Sequence, residues 1–255
     1  MPKKIKNLAI IQARMGSTRL PDKVLMKLEG KPLLEYEINR LKRSKKIDKI
    51  VLATGENPDN DPIAAWCEQN KVDCFRGSED EVLDRYYRCA LKYPECQNIV
   101  RLTGDCPLID PEVVDLVIDF FERNNFDYAS NVGQETFPDG LDVEIFTKQA
   151  LIEAAGQAKL ASEREHVTQF IRKNAKYRQG NLAAPGNYGR FRLTVDNRED
   201  FEVIEFLIKK CGAMAGYLDY LRLLEQNPEV MKKNSHIVRN EGLQKSLRED
   251  KIINE

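Results

Sequence analysis

The sequence predicts an α/β fold: three layers, with helices covering both faces of a mainly parallel sheet. Three observations carry this expectation. Short apolar runs alternate with segments of helical periodicity through the first half of the chain. Prolines stand at the starts of two of those helical segments, at Pro32 and Pro111. Hydrophobic residues make up 42% of the 255 positions, enough to build a core and well above the range for a disordered chain. Strands alternating with helices need crossover connections, and crossovers make neighbouring strands parallel.

Taken in order, Leu8–Ile11 reads as a short buried strand. Pro32–Ser44 reads as a helix with Leu33, Leu34, Ile38 and Leu41 on one face. A strand follows over Lys49–Ala53, a helix over Asp61–Asn70 and a strand over Val72–Phe75. Glu79–Tyr93 is helical, its apolar face made by Val82, Tyr86, Cys89 and Ala90, and Asn98–Leu102 is the fourth strand. Pro111–Asn124 is a helix with acids in its first turn, where they favour the helix dipole. Beyond it, Asp127–Ser130 and Asp142–Phe146 read as strands around a turn at Pro138-Asp139-Gly140. Ser162–Asn174 reads as a helix, Arg190–Val195 as an alternating strand and Glu199–Cys211 as a helix. From about Asn227 the chain is polar and poorly periodic. The expected division is a main domain over residues 1–226 and a tail or arm over 227–255.

Charged residues make up 32% of the chain, yet the net charge is −1, so no global basic field points to a nucleic-acid partner. Basic residues outnumber acidic ones between Lys3 and Lys49, which places an anion site near the N-terminus. No run has the length of a membrane span or the make-up of a secretory signal. The six cysteines form no CxxC pair or zinc spacing and read as free thiols of a cytoplasmic protein.

Ligands of parallel sheets sit at the carboxyl ends of the strands. The loop after the first strand, Gln12 to Lys23, packs Arg14, Gly16, Ser17, Thr18, Arg19 and Lys23 into a short stretch. Guanidinium groups bind phosphate oxygens bidentately, an ammonium adds a point charge, and glycine lets backbone N–H groups approach an anion. The spacing is neither a Walker A loop nor a GxGxxG fingerprint. A solvated surface loop would have a similar composition; the position directly after a buried strand favours the anion site.

The fourth strand runs into Thr103-Gly104-Asp105-Cys106-Pro107. Asp105 is a carboxylate at a central strand end, the kind of oxygen ligand that Mg2+ uses singly or in pairs. Helix capping, the alternative role, falls more naturally on Asp110. Asp196 ends the 190–195 segment just before a helix; either it or Asn197 could serve as a cap, or Asp196 as a second metal ligand. The two carboxylates are expected to converge, about 3–4 Å apart around an ion and within about 7 Å without one. Asp139, Asp142 and Glu144 cluster near a turn, the last two on one strand face, and fit either acceptor hydroxyls or a charged hairpin. Glu163 and His166, spaced i and i+3, could meet on a helix, with His166 a hydrogen bonder or a base.

The Gln12–Lys23 run resembles the opening signature of cytidylyltransferases of the sialic acid and KDO activating type. It is nearest to the branch named for spore coat polysaccharide biosynthesis protein F, and the resemblance extends over about residues 5–215. It implies one α/β domain of the nucleotide-diphospho-sugar transferase (Rossmann-like) type, with a nucleoside triphosphate over the loop. By the same resemblance Arg14, Arg19 and Lys23 hold the phosphates, and Ala13, Met15, Gly16 and Ser17 complete the cradle. Gly77 and Ser78 frame the base, and Asp105 and Asp196 bind Mg2+. Arg14, Lys23 and Asp105 carry the chemistry, while the Glu163–His166 run lies by the acceptor or a homodimer interface. The implied reaction moves CMP from CTP to a sugar or sugar-acid acceptor, releasing pyrophosphate, in the synthesis of polysaccharide or surface-glycan precursors. One departure is Asn197-Arg198, where many relatives carry Thr-Pro. A sugar-1-phosphate guanylyl- or uridylyltransferase and a nucleotide-binding regulator remain alternatives. A glycosyltransferase of related fold would want a DxD motif, which Asp105-Cys106-Pro107 does not supply.

Overall fold

The computed structural model describes residues 5–253. The chain begins with β1 (Asn7–Gln12), followed by a small hairpin of β2 (Lys27–Leu28) and β3 (Lys31–Pro32) and then α1 (Leu33–Leu41). Next come β4 (Lys49–Gly55), α2 (Asp61–Gln69), β5 (Asp73–Gly77), α3 (Val82–Leu91), β6 (Asn98–Thr103) and α4 (Pro111–Asn124). The second half holds β7 (Tyr128–Ser130), β8 (Glu144–Thr147), α5 (Lys148–Gln157), α6 (Ala161–Glu165), α7 (Gln169–Lys173) and β9 (Gln179–Asn181). It closes with α8 (Arg198–Cys211), α9 (Tyr217–Gln226), α10 (Pro228–Met231) and α11 (Glu241–Arg248).

Seven strands form one sheet in the order β5-β4-β1-β6-β8-β7-β9. The β5, β4, β1 and β6 strands are parallel, β8 runs antiparallel to β6 and to β7, and β9 is parallel to β7. The three-layer expectation holds at the level of single residues. On β1, Ala9 and Ile11 face a core shared with α1, α2 and α4, while Leu8 and Ile10 face one shared with α3 and α5. Period-two alternation with both faces covered explains why this strand is apolar throughout. A third cluster joins Phe191, Leu193 and Val195 to α8 and α9. No described helix is long and apolar enough to cross a membrane.

Three expectations need correction. The helix expected over residues 162–174 is broken into α6 and α7, because Val167 turns left-handed at φ 59°. The strand expected over 190–195 is an extended segment with a single bridge, Asp139 to Arg192. Its alternation misled because Arg192 and Thr194, the polar members, are as buried as their apolar neighbours. The α5, β9 and α9 elements had no counterpart in the sequence reading. The first of these follows β8 without a break, announced only by Thr147, whose hydroxyl oxygen accepts the Ala150 N–H at 3.1 Å.

The segment after α9 folds back over the carboxyl-end face of the sheet. Asn234 is buried and donates to the Arg192 carbonyl (3.2 Å) and to Asp200 Oδ1 (3.0 Å). Arg239 pairs with Asp142 and donates to the Phe137 carbonyl at 3.1 Å. Further along, Asp250 accepts from the Ser162 N–H and hydroxyl, and Ile252 bridges to Leu160.

Candidate active site

The parallel register sets Gln12 beside both Ala53 and Thr103, so the loops leaving β1 and β6 start side by side. The Gly104 N–H donates to the Gln12 carbonyl at 2.8 Å, and a Cβ on Gly104 would stand 2.9 Å from that of Ala13. Only glycine fits this close approach, which explains the residue before Asp105. The 191–195 segment docks against the same place: the Val195 N–H and the Thr194 hydroxyl donate to the Asp105 carbonyl at 2.8 and 3.1 Å. It is brought there by the turn at Gly140, where φ is 99° and a Cβ would lie 2.5 Å from the backbone of Leu193 and Thr194.

These contacts bring Asp105 and Asp196 together. Lys23, at the end of the loop after β1, places its Nζ 2.9 Å from Asp105 Oδ2 and 2.8 Å from Asp196 Oδ1. Both oxygens contact one ammonium, so they fall inside the roughly 7 Å expected without an ion. Arg19 Nη2 reaches Asp196 at 3.0 Å, while its Nη1 lies 3.0 Å from Glu241 on α11. Burial alone would push the Asp105 carboxyl up, but the Lys23 ammonium outweighs it and holds the group at about 2. Burial likewise works to lower the Lys23 pKa, and the charges of Asp105 and Asp196 reverse this and raise it. Among the described residues no group of three or more His, Cys, Asp or Glu side chains surrounds a metal position. The Asp105–Asp196 pair has the donor chemistry that magnesium uses when phosphate and water complete its shell.

Two cavities meet at this pair. One, of about 600 Å³, is lined by Ala13, Arg14, Ser17 and Arg19 of the loop and by Arg85 and Arg164 opposite. The other, of about 460 Å³, is lined by Asp139, Asp142, Glu144 and Arg172, among others. Arg19, Thr103, Asp105, His166 and Asp196 border both. Arg14 extends into the first cavity exposed, with no ion pair to another described residue. Other expected cradle residues stand back from it. The Met15 N–H donates to Asn60 Oδ1 (3.0 Å), and a Cβ on Gly16 would meet open space. Gly77 closes the end of β5, and the Ser78 carbonyl accepts from Arg85 (2.7 Å); the cavity wall there is made by Glu79–Val82 and Arg85.

In the second cavity the acids are largely engaged. Glu144 pairs with Arg101 and accepts from the Tyr128 hydroxyl (2.6 Å) and the Thr168 hydroxyl (2.7 Å). Burial opposes its ionisation, but Arg101 and Arg172 keep its pKa below the usual value. Burial and the neighbouring Asp139 and Glu144 charges push the Asp142 carboxyl up to about 7 against the pull of Arg239. Burial lowers the His166 pKa, aided by Arg101. Glu163 faces neither cavity: its Oε2 accepts the Lys159 and Leu160 N–H groups at 3.1 and 3.2 Å, so it caps α6 rather than meeting His166. As expected, Asp110 caps α4, accepting the Glu112 N–H at 2.9 Å.

Three groups carry no role in the sequence reading, although Asp84-Arg85 follows the segment that resembles the one framing the base. Arg192 is 6% exposed and holds Asp139, Asp196 and Asp200 at once. Arg85 is 2% exposed and lines the first cavity. Glu37 on α1 is 1% exposed, and neither of its carboxyl oxygens meets the geometry of a hydrogen bond. Burial and the Asp105 charge push its pKa well above normal. Each lies on a helix face or strand pattern that reads as apolar, and only the anomaly of a charge at a core position could have marked it. Cys106 is buried beside Asp105, and burial and that charge push its thiol pKa up, which disfavours the thiolate a nucleophile needs.

A model of the cytidylyltransferase family matches residues 8–240. An uncharacterized protein of Methanocaldococcus jannaschii is 38% identical over 249 residues, covering 96% of this chain and 99% of that one. The spore coat polysaccharide biosynthesis protein SpsF of Bacillus subtilis is 37% identical over 234 residues, covering 87% of this chain and 95% of that one. A solved cytidylyltransferase from Leptospira borgpetersenii serovar Hardjo-bovis superposes with a TM-score of 0.85 at 34% identity, covering 92% of this chain and 100% of that one. The chain belongs to the cytidylyltransferase family, whose reaction moves a cytidylyl group from CTP.

Proposed function

We propose that the acceptor is a hydroxyl of a sugar or sugar acid, that the product feeds polysaccharide or surface-glycan synthesis, and that the reaction releases pyrophosphate with Mg2+ as cofactor. The observation that carries this reading is the meeting of the two cavities at Asp105 and Asp196. A triphosphate laid along Arg14, Arg19 and Lys23 brings its α-phosphorus to the boundary between them. An acceptor oxygen held in the second cavity approaches that phosphorus from the far side, in line with the leaving pyrophosphate. Arg14 and Lys23 neutralise the charge that moves onto pyrophosphate, and Asp105 and Asp196 would hold the ion. Magnesium, when bound, polarises the phosphoryl oxygens and shares that charge. Positioning and electrostatics then supply the acceleration with no covalent intermediate. Asp139, Asp142 and His166 face the acceptor side, and His166 borders both cavities as a hydrogen-bonding or basic group. The kinship to SpsF supports the polysaccharide role. A homodimer and a cytoplasmic location belong to the same reading, and sedimentation of the purified protein tests the first.

The test is pyrophosphate release with CTP, UTP, GTP and ATP against a panel of neutral, phosphorylated and acidic sugars. Turnover with CTP and a sugar hydroxyl, dependent on divalent metal, is expected. Release with CTP confined to non-sugar acceptors, or undiminished by EDTA, sinks the proposal.

A further inference from the structure

The loop after β1 places a cation where a bridging ion would have to stand. Lys23 Nζ lies 2.9 Å from Asp105 Oδ2 and 2.8 Å from Asp196 Oδ1, and the residue is only 9% exposed. An ion coordinated by both of those oxygens would compete with the ammonium for the same position. We propose that Lys23 is the resident counter-ion of the carboxylate pair, and that its transfer to the triphosphate is what opens the pair to a divalent ion. This rests on the assignment of a divalent ion to Asp105 and Asp196.

Two carboxylates so close repel each other, and the ammonium removes that repulsion while donating a hydrogen bond to each. An ammonium turned away from them would be left in a largely buried place without an anion, which is expensive. Arg19 and Arg192 contact Asp196 as well, at 3.0 and 2.7 Å, but among the described residues it is Lys23 that bridges both carboxylates. The lysine stem is flexible, and the first cavity, which Lys23 also lines, is where phosphate oxygens would supply a new partner. Divalent ion and triphosphate are therefore coupled through the side chain of Lys23 as well as through direct ion–phosphate contact. Lys23 is in this respect a positioning residue for the ion, in addition to its contact with phosphate.

A lysine that merely braced the carboxylates would, on removal, weaken ion binding or leave it alone. A resident competitor gives the opposite sign. The experiment titrates the full-length protein with Mn2+ alone, read by electron paramagnetic resonance, without nucleotide. Lys23→Met and Lys23→Gln should each bind Mn2+ about tenfold more tightly than the wild type, within the usual range of coupling between two ligands. Lys23→Arg, which keeps the charge, should bind like the wild type. Neutral variants that bind Mn2+ equally or more weakly overturn the inference, and testing two of them guards against one that fails to fold. Asp105→Asn and Asp196→Asn, titrated in the presence of CTP, separate the two assignments. If they bind Mn2+ like the wild type, the ion lies elsewhere and both assignments fail. If they lose Mn2+ while the neutral Lys23 variants show no gain, the counter-ion role alone fails.

Discussion

Replacing Arg192 with methionine keeps an unbranched chain of similar size and removes the charge that holds three carboxylates. Arg192 Nε donates to Asp200 Oδ1 at 2.9 Å, Nη2 to Asp196 at 2.7 Å and to Asp200 Oδ2 at 3.2 Å, and Nη1 to Asp139. What remains after the change differs at each acid. Asp196 keeps Lys23 and Arg19, and Asp139 keeps an ion pair with Arg239 at 3.8 Å. Among the described residues Asp200, 0% exposed, keeps only the N–H groups of Asp196 and Asn197 and the Asn234 amide, and has no other cation. Removing one partner of a buried ion pair costs about 3–5 kcal/mol, and the three surviving donors put the expectation near the lower end. For a chain of this length about 3 kcal/mol corresponds to a fall in Tm of about 6–12 °C. Thermal melts followed by circular dichroism at pH 7 measure it. Adding Asp200→Asn to the methionine variant should restore part of the loss, because it neutralises the stranded anion. A fall of less than about 2 °C for Arg192→Met, or a double variant less stable still, would show that the arginine is not what compensates Asp200.

Three further outcomes follow from the same geometry. Asp105→Asn and Asp196→Asn should each lower kcat by about 10²–10³ while leaving CTP affinity without metal nearly intact; a double variant much slower than either single one would mean that the two act separately. Arg14→Ala should lower kcat by about 10²–10³ with little change in Tm, since the side chain is exposed and unpaired among the described residues; near-normal turnover removes it from the chemistry. Asp142 binds its proton more tightly folded than unfolded, because its carboxyl is pushed up to about 7 from an ordinary value of about 3.9. Its contribution to stability is therefore full below about pH 4 and is lost as pH rises through 7, so Asp142→Asn should gain on the wild type in urea unfolding between pH 4 and pH 8. A difference between the two proteins that is flat across that window would refute the raised carboxyl.

Much of this was legible in the residues because local rules decided it. The apolar strands β1, β4 and β6 and the amphipathic α1, α3 and α4 follow from periodicity and from Pro32, Pro111 and Asp110 at helix starts. Gly104 before Asp105 and Gly140 in its turn could be read as turn residues, while the close approaches that require glycine there, to Ala13 and to Leu193 and Thr194, appear only in the fold. What escaped the sequence depends on partners distant in the chain. The 190–195 segment looks like a strand because its alternation is real, yet it joins no ladder; it crosses the strand ends and hands its polar residues to the site. Arg192 meets Asp139 from 53 positions away, and Arg239 meets Asp142 from 97 away; neither spacing leaves a trace in a local window. The same reasoning explains Glu163. An acid three residues before a histidine on a helix face suggests a pair, but the unsatisfied N–H groups at the start of α6 were nearer and had no other acceptor. The polar tail reads as featureless for a related reason. Beyond Val230 and Met231, which join the third core cluster, it is held through the polar side chains of Asn234, Arg239, Glu241 and Asp250, whose partners are Asp200, Asp142, Arg19 and Ser162.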